Sequence, residues 1–229
     1  MKLLHLDSGI LGDHSVTRRL SAALVDRIRR ETPEAEIVHR DLVARPLAHL
    51  TGAHLAAAAT PANDEAAVDP AVAADVAESR AALQEFIDAD VIVIGAPMYN
   101  FTVPTQLKAW IDRIAVAGKT FRYTEKGPVG LMGGKRVIVA SSRGGFYGAG
   151  TPLAAIDHQE TYLQAVFAFL GIDDVTFVRA EGVGIGAEQK RTAIENAERE
   201  IGALTFVNAN SRLRGAVAMS PALREVAVA

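Results

Sequence analysis

One short apolar run, Val91–Ile94, most constrains the fold of this chain. All four residues are β-branched, so the strand that they form buries both faces, which is typical of a central strand in a parallel sheet. The run ends at Gly95, and an amphipathic helix begins near Pro104. Because ligands of open α/β sheets bind at the carboxyl ends of the strands, the sequence predicts that this intervening loop faces a ligand.

Strand patterns alternate with helical patterns along the chain, which predicts βαβ units and a parallel sheet. The predicted strands are Lys2–Leu6, Glu36–His39, Asp90–Gly95, Arg136–Ser141 and Val175–Arg179. The predicted helices are Ser15–Glu31, Ala71–Asp88, Pro104–Ala117, Gln159–Leu170 and Ala187–Val207. This alternation predicts an α/β, flavodoxin-like fold: a five-stranded parallel sheet of order 2-1-3-4-5 with helices on both faces.

Three stretches interrupt the alternation. We expect Asp41–Pro70 to be a surface connection that is partly helical around Leu55–Ala59. Lys119–Gly134 is expected to make a short β excursion before the fourth strand. The chain therefore divides into one domain, residues 1–207, and a tail, Asn208–Ala229, that we expect to be flexible or docked on a partner.

Composition excludes several functional classes. The net charge of -3 and the lack of a basic stretch argue against nucleic-acid binding. The chain has no cysteine, which rules out thiolate catalysis and Cys-based metal sites, and its histidines lack metal-ligand spacing, so we expect no metal. No apolar run approaches the ~20 residues that span a bilayer, and no signal peptide is evident, so we expect a cytoplasmic protein without a membrane partner.

The junction between the first strand and first helix, Asp7–Thr17, combines glycines, hydroxyls and a helix N-terminus. One interpretation is that Ser15 only caps the helix. The other is a phosphate site, since helix N-termini attract anions. Arg18 and Arg19 oppose the helix dipole, which favours a nearby anion. The glycine spacing fits neither a Walker loop nor a dinucleotide turn, so a monophosphate such as that of FMN fits best.

The two other strand ends carry ligand-like loops. Met98–Phe101 follows the central strand with apolar and aromatic residues that suit a flat isoalloxazine ring, although they could equally pack on a neighbouring loop. Ser141–Gly145 follows the fourth strand, and its consecutive glycines allow a close approach to a ligand. The alternative there is a glycine-rich turn with an exposed arginine. Three such loops together predict one shared FMN site.

These motifs resemble the FMN-dependent NADH-azoreductases, flavodoxin-like relatives of quinone reductases. The resemblance covers about residues 1 to 205 and is carried by Ala96–Phe101 with Gln106–Lys108, Thr120–Thr124 with Gly127-Pro128, Ser142–Gly145, Phe169–Ile172 and Ala180–Gly182. It implies a homodimer with the active site at the interface. The FMN contacts that it implies are Ser8, Ser15, Val16, Thr17, Met98, Tyr99, Asn100, Phe101, Ser142, Arg143, Gly144 and Gly145. The chain departs from the family at Gly9, where a second serine is common, and at Val16-Thr17, where a serine-rich turn is common.

The resemblance also implies an activity. We expect an FMN-dependent NAD(P)H:quinone oxidoreductase and azoreductase, with two-electron ping-pong transfer from NADH or NADPH through FMN to quinones and azo compounds. No side chain is expected to be an essential acid or base. Residues expected to line the pocket are Phe121, Tyr123, Tyr147 and His158.

Other functions remain open. A flavodoxin-like electron carrier would be more acidic than a net charge of -3. A free-standing NAD(P)H-dependent FMN reductase would share the motifs. A non-redox interaction domain of this fold would be colourless when purified.

Overall fold

A computed structural model describes residues 1–59, 69–70 and 72–206 of the chain. The strands are β1 (Lys2–Asp7), β2 (Glu36–Asp41), β3 (Val91–Pro97), β4 (Phe121–Thr124), β5 (Gly127–Gly130), β6 (Arg136–Arg143) and β7 (Asp174–Glu181). Five of them pair in parallel in the order β2-β1-β3-β6-β7, while β4 and β5 form a separate antiparallel hairpin. The parallel sheet predicted from sequence is therefore present, and its numbering differs only because the hairpin strands precede β6.

The helices are α1 (Val16–Glu31), α2 (Gly52–Ala59), α3 (Ala73–Asp88), α4 (Thr105–Ile114), α5 (Glu160–Phe169) and α6 (Ala187–Ala203). Helices α3, α4 and α5 pack on one face of the sheet in a core that includes Trp110 and Phe167, and α1 and α6 pack on the other around Leu24 and Ile201. Alternate residues of the central strands feed the two cores: Ile92 belongs to the first and Val93 to the second. Each large apolar side chain buried there contributes about 1.5–3 kcal/mol.

Two predicted helices end earlier than their apolar pattern. The helix expected to reach Ala117 stops at Ile114, because the Thr120 hydroxyl donates to the Ile114 carbonyl at 2.6 Å and holds the chain in a turn. The helix expected to reach Val207 stops at Ala203, and the chain then runs extended from Leu204. The Thr120 contact is local, whereas after Ala203 the Leu204 and Thr205 carbonyls accept from Arg27 and Arg136, and the Phe206 N–H donates to Glu31. Contacts beyond each helix end, rather than helical propensity, therefore set these boundaries.

The expected β excursion is the β4–β5 hairpin, and the expected helical part of the connection is α2. Residues 60–68 and the predicted tail 208–229 lie outside the described residues. None of the described helices has the length and apolar character needed to cross a membrane.

The order of the strands brings three loops together. The chain adds β2 on one side of β1 and then β3 on the other side. The direction in which successive strands are added therefore reverses between β1 and β3, although all the strands of this sheet stay parallel. Ligands of this architecture bind outside the carboxyl ends at such a switch point. The three adjacent loops there are called the β1 loop (Ser8–Ser15), the β3 loop (Met98–Pro104) and the β6 loop (Gly144–Gly150).

Candidate functional site

The β1 loop is tied to the neighbouring strand by its first residue. Ser8 is fully buried, and both its hydroxyl and its backbone N–H donate to the Gly95 carbonyl, at 2.7 and 3.1 Å. Gly9 then passes against the start of α1: a Cβ built on it would lie 2.4 Å from Ser15 Oγ and 3.2 Å from Thr17 Oγ1. The absent side chain at Gly9 therefore brings loop backbone into direct contact with two hydroxyls.

The start of α1 supplies the polar groups of this cradle. Ser15 caps the helix, since its hydroxyl accepts from the Arg18 N–H at 3.4 Å, and it lies 3.1 Å from the Thr17 hydroxyl. The Val16 side chain packs in the core, so this residue offers only its backbone to a ligand. The first N–H groups of a helix lack intrahelical acceptors and attract anions. Capping and anion binding are thus compatible at this helix start.

The argument for an anion from the two arginines is not supported by their contacts. Arg18 forms a bidentate ion pair with Asp41, with N–O distances of 2.7 and 2.8 Å, and its Nε donates to the Gly9 carbonyl at 3.0 Å. Arg19 pairs with Glu198 at 2.8 Å. The hydrogen bonds from Arg18 hold the pKa of Asp41 well below its usual range. Both arginines therefore have carboxylate partners within the chain and do not indicate a bound anion.

The β3 loop contains a tight turn at Asn100 and Phe101. Both residues have positive φ, 48° and 72°, which is rare for a bulky side chain. Tyr99 and Thr102 exchange backbone hydrogen bonds of 3.0 and 3.1 Å across the turn, and the His158 N–H donates to the Phe101 carbonyl at 3.0 Å. The surrounding structure holds this conformation against a cost of about 1–3 kcal/mol per residue. Such turns concentrate at ligand sites.

Direct contacts join the three loops. The Ile10 N–H donates to the Tyr99 hydroxyl at 3.2 Å, which links the β1 and β3 loops. The Met98 N–H donates to the Ser142 carbonyl at 2.8 Å, which links the β3 loop to the end of β6. The Phe101 ring also lies 6.5 Å, centroid to centroid, from that of Tyr147 in the β6 loop. The predicted site residues on the three loops are thus brought into one rim.

The side chain of Arg143 differs from both sequence interpretations. It is neither an exposed arginine nor aimed at the rim, because it is 1% exposed and forms ion pairs with Asp157, Glu160 and Glu181. Only its backbone remains available for the predicted cofactor contact. The next two residues, Gly144 and Gly145, are exposed and half-buried. Their carbonyls accept hydrogen bonds from the loop after β7: the Gly184 N–H donates to Gly144 at 3.0 Å, and the Gly182 N–H donates to Gly145 at 2.9 Å.

The four predicted pocket residues fall into two groups. Tyr147 and His158 lie at the rim, through their contacts with Phe101. Phe121 is buried against Phe169, with ring centroids 4.6 Å apart, so little of its ring is left to face a partner. Tyr123 is 74% exposed on the β4–β5 hairpin.

A His–Asp–His cluster, buried at His5 and Asp7 and exposed at His39, escaped the sequence analysis because its members lie on two neighbouring strands. His39 Nε2 lies 3.0 Å and His5 Nε2 3.4 Å from Asp7 Oδ2. Burial raises the pKa of Asp7, but hydrogen bonds from His5, Ser21 and His39 outweigh it and lower the pKa. The histidine rings are stacked, with an interplanar angle of 25°. The three candidate ligand atoms lie within 4.8 Å of one another, but a metal ion binds in the plane of an imidazole ring, and in this arrangement the two nearly parallel rings do not aim at one shared point.

Gln159 and Glu181 are two further residues around the site that the sequence analysis did not nominate. Gln159 is fully buried, donates to the Ala96 carbonyl at 3.0 Å and accepts from the Ser141 hydroxyl at 2.8 Å, so it fixes β3 to β6 just below the rim. Glu181 contacts the β6 loop directly. The sequence feature that could have identified Glu181 is its position in the Ala180–Gly182 motif. A motif, however, does not reveal which neighbour its carboxylate contacts.

Comparison with known proteins agrees with this geometry. The sequence profile of the flavodoxin-like fold family matches residues 1–204. The chain belongs to this family. A protein of Sinorhizobium fredii named FMN-dependent NADH:quinone oxidoreductase is 62% identical over 201 residues, which cover 88% of this chain and 95% of that protein. A protein of the same name from Methylocella silvestris is 55% identical over 197 residues, covering 86% of this chain and 95% of the relative.

Solved structures give the same result. An azoreductase of Bacillus anthracis superposes with a TM-score of 0.78 at 27% identity, covering 88% of this chain and 96% of that chain. An FMN-dependent NADH-azoreductase of the same organism, in complex with FMN, superposes with a TM-score of 0.76 at 26% identity. The match covers 88% of this chain and 97% of that chain. The family resemblance carried by the motifs is therefore confirmed.

Proposed function

We propose that this chain is an FMN-dependent NADH:quinone oxidoreductase that also reduces azo compounds. The observation that carries the proposal is the joined rim of three loops at the switch point of the sheet, in a chain whose relatives with that name are 55–62% identical. The rim combines a helix N-terminus, exposed glycine backbone and exposed aromatic surface. An acyclic phosphate tail and a flat ring need those three features in adjacent positions.

The residues at the start of α1 fit the phosphate of FMN. We assign it to the Ser15 and Thr17 hydroxyls and the backbone at Val16, with Ser8 shaping the loop because its own hydroxyl already donates to Gly95. The missing Cβ of Gly9 leaves the loop backbone against those hydroxyls. Since Arg18 is paired with Asp41, N–H dipoles and hydroxyls carry the anion instead of a free guanidinium.

The β3 and β6 loops fit the ring. Met98, Tyr99, Asn100 and Phe101 offer apolar surface on one side, where Asn100 and Phe101 add their backbone amides because those of Met98 and Tyr99 donate to Ser142 and Thr102. Ser142–Gly145 offer backbone on the other side. Phe101 is 46% exposed although it is large and apolar, which suits a surface that a flat partner covers. Within this set Arg143 contributes backbone, while its guanidinium fixes the loop from beneath.

FMN, when bound, supplies a two-electron carrier that receives a hydride from NADH and passes it to the acceptor. The chain's own residues bind, orient and shield. The turn at Asn100 and Phe101 is held by hydrogen bonds before any ligand arrives, so the aromatic surface is preorganised. Tyr147 and His158 at the rim, together with water, are the candidates for delivering a proton to the reduced acceptor.

The same rim supports a homodimer in which two chains complete each site. Exposed large apolar side chains lie in or directly beside its loops: Ile10, Leu11, Phe101, Phe146, Leu153 and Ile185. Several large apolar side chains exposed around one site are typical of an interface. In this proposal Phe121 and Tyr123 reach a site only through the second chain. NADH is the proposed co-substrate by the names of the relatives, NADPH is the alternative, and the cytoplasm is the proposed location.

An absorption spectrum followed by steady-state kinetics tests the proposal. We expect purified protein loaded with FMN to show oxidised-flavin bands that bleach on anaerobic addition of NADH and return on addition of menadione. Initial rates at several menadione concentrations should give parallel double-reciprocal lines, as ping-pong transfer requires. An azo dye should consume two NADH per bond cleaved, because complete reduction to two amines needs four electrons.

Two comparisons separate the alternatives. The same experiment with NADPH gives the co-substrate preference. A free-standing FMN reductase would release reduced FMN, so its rate would rise with added free FMN after the protein is saturated. Protein that binds no FMN, or bound FMN that NADH does not bleach, would contradict the proposed function.

A further inference from the structure

Glu181, at the end of β7, contacts both the β6 loop and the last residue of β6 through one oxygen. Its Oε1 accepts from the Tyr147 N–H at 2.8 Å and from Arg143 Nη1 at 3.1 Å. Its other oxygen faces Gly148, where a built Cβ would lie 3.2 Å away. The side chain is 21% exposed, so these hydrogen bonds form in a partly desolvated place, where each is stronger than in water.

The hydrogen bond between Glu181 and Tyr147 holds the β6 loop at a point where the strand pairing has already ended. The parallel pairing of β6 with β7 ends at Arg143 and Glu181, and the next loop segment is held by the bond from the Gly182 N–H to the Gly145 carbonyl. Beyond Gly145, the carboxylate of Glu181 is the acceptor that fixes the Tyr147 backbone. The direction in which the Tyr147 ring leaves the backbone therefore depends on Glu181.

The Tyr147 ring in turn contacts the turn that carries the exposed aromatic surface. It meets the Phe101 ring edge-on, with an interplanar angle of 62°. The other two carboxylates on Arg143 belong to the start of α5: Glu160 is its first residue, and Asp157 accepts from the Gln159 and Glu160 N–H groups. Glu181 is thus the member of this ion network that connects it to the rim.

We propose that Glu181 is a positioning residue of the candidate site, which holds Tyr147 against Phe101 through the Tyr147 N–H without contacting the ligand. The inference rests on the proposed function, because the rim that it orders is the one assigned to the FMN ring. The required group is a hydrogen-bond acceptor at Oε1, since Arg143 keeps two other carboxylates.

The test compares Glu181→Ala, Glu181→Gln and Tyr147→Ala with the unaltered chain. Glutamine keeps an oxygen that can accept from the Tyr147 N–H, while alanine removes it. Glu188→Ala is the matched control, because its side chain is 89% exposed in the first turn of α6. The readouts are the dissociation constant of FMN, measured by fluorescence quenching, and kcat and KM for menadione at saturating FMN.

We expect Glu181→Ala to raise the dissociation constant of FMN about tenfold, the size expected for loss of a charge-assisted hydrogen bond. The KM for menadione should rise with it, and kcat should change less than about twofold, since Glu181 positions the loop and does not itself contact the ligand or transfer a proton. Glu181→Gln should restore most of the affinity, and Glu188→Ala should behave as the unaltered chain. Tyr147→Ala should match Glu181→Ala in its affinity for FMN, and the double variant should bind FMN no more weakly than either single one.

Three results would overturn the inference. FMN affinity and KM unchanged in Glu181→Ala would remove it while leaving the proposed function intact. Glu181→Gln as weak as Glu181→Ala would show that the charge, rather than the Tyr147 contact, is what matters. If Glu181→Ala does not fold, Tyr147→Ala decides: unchanged FMN affinity there also overturns it. An unaltered chain that binds no FMN would instead remove the proposed function itself.

Discussion

The β1 loop and the β6 loop both border the candidate site, but different forces hold them. The β1 loop is organised by hydroxyls and backbone, with Ser8 bonded to a carbonyl and Ser15 beside Thr17. The β6 loop starts from a buried arginine surrounded by carboxylates, of which Glu181 also bonds the loop backbone. Arg18, which donates to the Gly9 carbonyl of the β1 loop, is bound to Asp41.

This difference indicates a division of work. In the proposed site an anion would be met by the Ser15 and Thr17 hydroxyls and the first N–H groups of α1. A flat ring needs a surface that does not move, and the β6 loop, which has no charged residue of its own, is fixed by the ion pairs of Arg143 beneath it. The predictions below test this contrast in order of decreasing effect.

The largest effect should come from Arg143→Met, which removes the positive charge from three carboxylates while keeping much of the side-chain volume. Breaking a buried ion pair on one side costs about 3–5 kcal/mol. We expect the free energy of unfolding, from urea titration, to fall by that amount. Arg191→Met is the control, because that side chain is 67% exposed. Its free energy of unfolding should stay within about 0.5 kcal/mol of that of the unaltered chain. Equal stability of the two variants would contradict the structural role of Arg143.

The next effect concerns the strained turn. Phe101→Ala and Phe101→Gly both remove the exposed ring, so both should weaken FMN binding by about tenfold. Glycine adopts the φ of 72° without strain. The free energy of unfolding of the glycine variant should therefore be about 1 kcal/mol higher than that of the alanine variant. Unchanged FMN affinity in both would remove Phe101 from the site, and equal stability would remove the strain.

A smaller, pH-dependent effect should come from Asp41→Asn. The hydrogen bonds from Arg18 lower the pKa of Asp41 in the folded chain. Its stabilising contribution is therefore complete above the unfolded pKa of about 3.9 and is lost as the pH falls through the lower folded pKa. We expect a destabilisation of about 1 kcal/mol at pH 7, allowing for solvent screening.

Urea titrations of the two chains from pH 7 downward should show this difference shrinking only in the acid range. Asp173→Asn, at an exposed aspartate, should give no such pH-dependent difference. A difference that is constant with pH would show that the Arg18 ion pair is not its source.

The smallest effect should be confined to one ligand. Thr17→Val removes a buried hydroxyl of the cradle with little change in shape. Loss of one hydrogen bond of about 1 kcal/mol should raise the dissociation constant of FMN about fivefold and leave that of riboflavin, which lacks the phosphate, unchanged. Thr176→Val, on β7, is the control and should alter neither. Equal weakening of both ligands would place the phosphate elsewhere.

Local pattern and strand count were sufficient to predict the fold. The buried run at Val91–Ile94 indicated the centre of the sheet, because only a strand with two covered faces tolerates it. Helix ends were less accurate, since contacts beyond the helices, at Thr120 and after Ala203, set them. The tail could not be compared, because it lies outside the described residues.

The loops of the site could also be predicted, but not the roles of charged side chains within them. Arg18, Arg19 and Arg143 looked available for a ligand, and each is bound to carboxylates that are distant in sequence. The positive φ of Phe101 was equally hidden, because aromatic residues rarely adopt it. Ion-pair partners and strained turns depend on the assembled structure, which a single sequence pattern does not encode.

The most direct test of the central claim is a crystal structure of the chain with FMN. The account predicts the phosphate at Ser15–Thr17 and the ring between Met98–Phe101 and Ser142–Gly145, with Arg18 still bound to Asp41. A nucleotide bound at another place, or a phosphate held by a displaced Arg18, would contradict it.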